Sequence, residues 1–426
     1  MARISHALAR LRREPLADLP TGLPLDQWLA ECGVPGWRDR LLTPLVTLRL
    51  FLTQVLHGNC PITALRQLAG IDFAKSSYCE ARARLPLMAL QSLLEWMNQC
   101  AAQAAAAAEP VAALLGRRVL IADGSSFSVP DTPELRRHFD LPPGVVPGVG
   151  YPMGKLMGLL DAATGLFVEL LALPLFHHDA RGVIALHPML RAGDILLGDR
   201  AFSSYAHLCL LARRGVSACM RLHQRRKDVA AGAARWARPA KAPAWMTAAQ
   251  FLALPAFLDV RLVRHTVAER GFRTRHLMIV TTLTDTTLWP DPRIAALYGQ
   301  RWDIETCFDH LKTTMGMNTL RCQTLDGVRK ELAVYLAAYN LVRLAILAAA
   351  RAQGVSPRRV SFIDAMRWLA ARLLGLPGVA RLVVNPDRAG RSQLRVIRRR
   401  YKQYDLLRRS RRETEARNAE KHGKNR

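Results

Sequence analysis

No C-x-x-C pair occurs among the eight cysteines of this 426-residue sequence, which excludes a zinc ribbon built on such pairs. Cys32, Cys60, Cys79, Cys100, Cys209, Cys219, Cys307 and Cys322 are scattered through apolar segments, where a free thiol behaves as a small hydrophobe. A reducing cytoplasm is the expected compartment. No apolar run reads as the roughly 18–20 residues needed to span a bilayer, so no membrane span is expected. The opening MARISHALARLRREP is basic but lacks a following apolar h-region, so no secretory signal is expected either. No internal repeat is visible. Acidic residues are scarce: 34 Asp and Glu stand against 61 Lys and Arg, a formal net charge of +27.

That imbalance implies a polyanionic partner, because each Lys or Arg set beside a phosphate releases condensed counterions. Nucleic acid is favoured over an anionic membrane surface. Half of the chain is hydrophobic, enough for a large core and two or three domains.

Residues 1–110 read as helical. An apolar helix spans about Leu41 to Val55, Gly58 and Pro61 punctuate it, and another helix runs from Pro86 into the Ala-rich stretch 101–108. Such a bundle is either a plain helical domain with a basic face or a DNA-end-binding domain. After Pro110 the texture changes. RRVLIADGSS, KLMGLLD and GLFVELLAL read as strands, followed by a helix at about 180–191. DILLGDRAF is a further strand, then come a helix over Ser203–Arg214 and a strand around Val216–Met220. Three strands, helix, strand, helix, strand make an α/β layer architecture. Residues 222–290 hold a basic Ala/Pro-rich linker and two β-like segments, and read as an inserted β-rich subdomain. Helices resume across PDPRIAALYGQRWDIETCFDHLK, 328–351 and 360–373, and the chain ends in a basic tail over 386–426.

Asp123 and Asp199 each close an apolar strand, where adjacent strand ends of an α/β sheet form a crevice. Each is either a turn residue or helix cap, or a metal-binding carboxylate. Downstream, at 100° per residue on one helix, Arg301, Glu305 and Lys312 fall within about 60° of Tyr298. Leu297, Ile304, Phe308 and Leu311 form a neighbouring apolar stripe. This edge reads either as a reactive face or as a solvated one with an Arg301–Glu305 pair. Carboxylates from two strand ends and a helix would form a hard-oxygen site suited to Mg²⁺ or Mn²⁺. Two such ions serve phosphodiester chemistry, with Arg301 and Lys312 free to contact flanking phosphates.

Tyr298, Arg301, Glu305 and Lys312 form the ungapped signature Y-x2-R-x3-E-x6-K. With IADGSSFSVPDTPELRRHF, GDILLGDRAFSSY and the tail RAGRSQLRVIRRRYKQYDLL, it resembles the insertion-sequence-four family of DDE transposases, over about residues 40–410. The resemblance implies a ribonuclease-H-like catalytic domain over 111–385, carrying the β-rich insertion and preceded by the helical domain. It implies that Asp123, Asp199 and Glu305 hold two Mg²⁺ ions, with Mn²⁺ able to substitute, and that Tyr298, Arg301 and Lys312 contact the DNA backbone. The implied activity is cleavage at the element ends and transfer of the freed 3′-hydroxyl to double-stranded target DNA. The cytoplasmic nucleoid is the place, and a homodimer is expected in the synaptic complex. A metal-dependent nuclease and a silent DNA-binding regulator are the alternatives. Some family members form a hairpin with a flipped base stacked on a Trp of the insertion, for which Trp236, Trp245 and Trp289 are candidates. His177, His178 and Asp179 read as loop or supporting residues, Arg200 as a lock on the second acid's turn, and Asp309 as a helper or a Lys312 partner. Trp368, Tyr401 and Tyr404 read as packing residues.

Overall fold

The computed structural model describes residues 41–107, 115–145, 148–224, 226, 230–266, 276–376 and 381–386, with two isolated tail positions, 413 and 416. The first 40 residues and Tyr401 and Tyr404 of the tail lie outside the described residues.

Among the described residues, four helices come first: α1 (Pro44–Leu56), α2 (Ile62–Ala69), α3 (Lys75–Arg84) and α4 (Leu87–Ala107). Thr43 caps α1 by accepting from Val46 N, and Pro44 takes the first turn, where its missing N–H costs nothing. The α/β part follows in the expected order. It comprises β1 (Val119–Ser128), α5 (Pro133–Phe139), β2 (Met153–Asp161), β3 (Phe167–Pro174), α6 (Asp179–Ala185), β4 (Ile195–Gly198), α7 (Tyr205–Arg213) and β5 (Ser217–Arg221). The next segment supplies β6 (Gly232–Ala237), α8 (Ala248–Leu252), β7 (Phe257–Thr266) and β8 (His276–Thr281). The last elements are α9 (Asp291–Gly299), α10 (Trp302–Asp309), α11 (Leu325–Gln353) and α12 (Phe362–Leu373).

Among the described residues, eight strands join one sheet in the order β3-β2-β1-β4-β5-β8-β7-β6. The β1–β4 and β4–β5 pairs are parallel and the others antiparallel. Both faces are covered. Ile121, Leu197, Cys219 and Ile279 face a core shared with α1, α4, α10, α11 and α12. Leu120, Ala122, Leu196 and Met220 face a second core with α6, α7 and α8. Double coverage explains why β1 opens on the apolar run VLIA and β4 reads ILLG, rather than alternating.

Three expectations change. The inserted β-rich segment does not form a sheet of its own: its strands continue the main sheet through the β5–β8 pair. β6 lies inside the stretch read as a linker, because its Ala-rich sequence has little strand signal and is fixed by pairing with β7. The early helices share the main core with β1 rather than standing apart, while α1–α3 keep a small cluster of their own around Leu50, Phe73 and Tyr78. One further point concerns apolar length. α11 is long and apolar enough, by length and composition, to cross a membrane. Most of that stretch is buried inside the protein, where it serves as the central core helix.

Polar groups on α11 fix its neighbours. Asn340, fully buried, accepts from Phe167 N (3.0 Å) and donates to Phe167 O (2.9 Å), so it mimics a strand partner at the outer strand β3. Glu331, also fully buried, accepts from Asn59 Nδ2 (2.6 Å), Arg321 N (3.0 Å) and Cys322 N (2.8 Å). This carboxylate ties the early helices to the segment entering α11. Glu331→Ala leaves those donors buried without an acceptor and is expected to lower unfolding free energy by about 3 kcal/mol or more. Urea denaturation checks this, and a shift within about 0.5 kcal/mol would contradict the role given to Glu331.

Candidate active site

The site begins with strand register. Ala122 pairs with Gly198 in the parallel β1–β4 ladder, so Asp123 and Asp199 occupy the next position along neighbouring strands. Asp123 does not end its strand as expected: β1 continues to Ser128 against β2, and Asp123 faces Gly158 across that pair. What ends there is the parallel ladder. β4 stops at Gly198, and Asp199 starts a 3-10 turn over Arg200–Phe202. Gly198 is needed for this turn, since a Cβ there would lie 2.9 Å from the Phe202 ring.

Behind that turn sit two buried histidines that sequence reading missed. His207 Nδ1 donates to Phe202 O at 2.7 Å, and its Nε2 lies 3.0 Å from His187 Nε2. Burial pushes the pKa of His187 down to about 3 and that of His207 to about 4, so the pair is neutral near pH 7. With His207 donating through Nδ1, its Nε2 accepts from His187 Nε2–H.

The third acid arrives on α10. Gly158 lets this helix approach the sheet: a Cβ there would stand 2.9 Å from both Phe167 and Phe308. The expected single helix from Tyr298 to Lys312 is instead three pieces. α9 ends at Gly299, α10 starts at Trp302, and a π-helical turn covers His310–Thr314 with Met315 N bonding His310 O. Such turns widen the helix locally and are frequent at functional sites. Here Lys312 Nζ reaches Ser125 Oγ on β1 at 3.0 Å.

Arg301 stands between the acids. Its Nη1 is 3.3 Å from Asp123 Oδ2, and its Nη2 is 2.7 Å from Glu305 Oε1. Its side chain is 9% exposed and its Nε is buried without a hydrogen-bond partner. Asp123 also accepts from Gly124 N at 2.8 Å. Burial pushes the Asp123 carboxyl up to about 6. Gly124 N and Arg301 oppose the rise, whereas the charges of Glu305 and Asp199 add to it. Three like charges therefore converge on this point. Among the described residues, however, no three His, Cys, Asp or Glu side chains close into a metal-holding group, and the Arg301 guanidinium spans the gap. Beside it opens a cleft of about 370 Å³ lined by Asp123, Ser125, Glu305, Asp309, Lys312 and Asn318, among others. Burial lowers the Lys312 ammonium pKa.

Tyr298 is placed differently from expectation. It is 1% exposed and packs edge-on against Trp302, so its ring belongs to the core and offers no open face to a ligand. Helical angle places Tyr298 on the edge of the apolar stripe but carries no information about which element covers that edge. Trp236 and Trp289 are likewise buried, at 7% and 3% exposure, leaving Trp245 as the partly exposed candidate of the three. His178 caps α6 by accepting from Ala180 N, and Asp179 pairs with Lys155. Arg200 donates to Gln224 rather than to the Asp199 turn. Asp309 accepts from Thr313 Oγ1 and lines the cleft. Trp368 packs partly buried against the core.

Residues 114–341 match the family described as Transposase DDE domain. The chain belongs to that family. It is also 33% identical over 118 residues to "Transposase InsG for insertion sequence element IS4" of Escherichia coli (strain K12). That match covers 27% of this chain and spans about a quarter of the relative, 26% of its length. It agrees with the insertion-sequence-four resemblance. A solved structure of the piggyBac transposase synaptic complex with hairpin DNA is similar at a TM-score of 0.43 and 9% identity, covering 88% of this chain and 80% of that one. This likeness is too distant to carry an argument.

The raised Asp123 pKa has a consequence for stability. The folded state holds this proton more tightly than the unfolded chain, whose carboxyl titrates near 3.8. Stability is therefore unaffected well below pH 3.8, falls as pH rises toward 6, and stays reduced above it. The loss is at most about 3 kcal/mol. In metal-free buffer, Asp123→Asn is expected to raise Tm at pH 7.5 and leave it near the parent value at pH 4. An unchanged or lower Tm at pH 7.5 would show that the Arg301 contact outweighs burial.

Proposed function

We propose that this protein is the transposase of a mobile element, cutting double-stranded DNA at the element ends and joining the freed 3′-hydroxyl to target DNA. The observation that carries the reading is the meeting of Asp123, Glu305 and Arg301 at the end of the parallel ladder, with Asp199 one strand away. The strand order β3-β2-β1-β4-β5, with its first three strands antiparallel and the next two parallel, supports a ribonuclease-H-like core.

Membership in the DDE family carries a divalent-metal requirement, for which we take two Mg²⁺ ions, replaceable by Mn²⁺. The residues present fit such ions. All the donors are hard carboxylate oxygens, and the mutual repulsion on Asp123 is of the kind a cation relieves. Asp123, Asp199 and Glu305 would hold them. When bound, the ions activate the attacking oxygen and stabilise the leaving one. The protein's own groups do the rest. Arg301 and Lys312 bind the phosphates flanking the scissile bond, Arg301 through its planar fork and Lys312 as a point charge. Ser125 steadies Lys312 from β1. Tyr298 acts from the core, fixing Trp302 and the start of α10 rather than touching DNA. His187 and His207 set the turn that carries Asp199. The +27 charge draws DNA to the cleft, and the early helices grip the element end. A dimer pairs the two ends, and the cytoplasmic nucleoid is the place of action.

Inverted repeats bracketing the reading frame supply the substrate for the test. Asp123→Ala, Asp199→Ala and Glu305→Ala are each expected to lower strand cleavage at least about a thousand-fold, about 4 kcal/mol of barrier, while gel shifts retain end binding. Wild-type cleavage in Mg²⁺ by any one of the three would overturn the reading. Hydrolysis without joining to plasmid DNA would reduce it to a nuclease.

A further inference from the structure

The position of Arg301 goes beyond a DNA contact. It stands one helical turn before Glu305, and its guanidinium is turned inward. One nitrogen meets the acid of β1 and the other meets the acid of α10. An Arg kept only as a structural clamp usually binds one carboxylate with both prongs. This one divides its prongs between two elements and leaves Nε buried without a partner, an incomplete set of bonds for so enclosed a cation. Lys312, which lines the cleft, bonds Ser125 Oγ instead.

A divalent ion shared by Asp123 and Glu305 requires their oxygens to approach one centre at about 2.0–2.1 Å. The guanidinium holds the space between those oxygens. We propose that Arg301 is an internal counterion that competes with divalent metal in the DNA-free protein, and that a DNA phosphate draws it off the two acids. DNA binding and metal binding then reinforce each other, and the site loads its metal where DNA is present. The inference rests on the metal-holding roles proposed above for Asp123 and Glu305. Two features make the exchange workable. The Glu305 side chain is 46% exposed and lines the open cleft, so a phosphate arriving there meets the Arg301–Glu305 pair from its open side, and the enclosed guanidinium turns outward to it. The Trp302 ring centroid already lies 5.1 Å from Arg301 Cζ, a cation–π contact that does not depend on the two acids.

The test reads Mn²⁺ binding by the paramagnetic resonance signal of free Mn²⁺, with no turnover involved. Wild type is titrated with and without a short duplex carrying the element end, and Arg301→Gln is titrated in the same way. Asp123→Asn with the same duplex corrects for Mn²⁺ held by DNA alone. The expected results are an affinity gain of about ten-fold or more for wild type on adding DNA, and Mn²⁺ binding by DNA-free Arg301→Gln already near that level. Arg301→Lys, whose single ammonium cannot span both carboxylates, is expected to fall between. Wild-type affinity unchanged by DNA would overturn the proposal without reliance on any variant. So would Arg301→Gln binding Mn²⁺ no better than wild type while keeping wild-type circular dichroism. If Arg301→Gln binds Mn²⁺ tightly and the added Asp123→Asn change leaves that binding intact, the metal site itself is misassigned. That outcome separates failure of the underlying reading from failure of the counterion role.

Discussion

The parallel pairing of β1 with β4 puts Asp123 and Asp199 at matching positions, one residue beyond the Ala122–Gly198 pair. A one-residue slip would turn one of these carboxylates to the opposite face of the sheet. The register is held by burial on both faces, since Ile121 and Leu197 enter one core and Leu120 and Leu196 the other. Everything else at the site is arranged around this pair. Gly158 lets α10 close on the sheet, the π-helical turn swings Lys312 toward Ser125, and Asn340 holds β3 at the far side.

The arrangement is costly to the folded chain. Burial and two neighbouring acids oppose the charge on Asp123, and only Arg301 and Gly124 N offset them. A fold under pressure for stability alone would replace such a group with an apolar one. Its presence at the mouth of a cleft, between a sheet and a helix of a DDE-family chain, is what the metal-holding role proposed for Asp123 calls for. Arg301 is the group through which the free protein tolerates that cost.

Much of this was legible in the sequence, for physical reasons that differ by element. β1 and β4 were visible because strands covered on both faces must be continuously apolar. α11 was visible by its length, and the helix carrying Glu305 by its apolar stripe of Leu297, Ile304, Phe308 and Leu311. β6 was not, because GAARWA has little strand character until β7 pairs with it. The burial of Tyr298 was hidden because helical angle does not reveal which side another element covers. Glu331, Asn340 and the His187–His207 pair lie far from their partners in sequence, and only the packed fold brings them together. The Arg301–Glu305 pair was legible as an i, i+4 spacing, and the structure shows it. The second half of the bridge, to Asp123, depends on β1 and α10 meeting, which no local pattern encodes.

The most direct measurement is the anomalous scattering of Mn²⁺ in crystals of the protein bound to its element end. The account predicts Mn²⁺ peaks about 2.0–2.2 Å from carboxylate oxygens of Asp123, Asp199 and Glu305, with the Arg301 guanidinium displaced onto a DNA phosphate. Mn²⁺ held by other groups, with Arg301 still bridging Asp123 and Glu305, would contradict it.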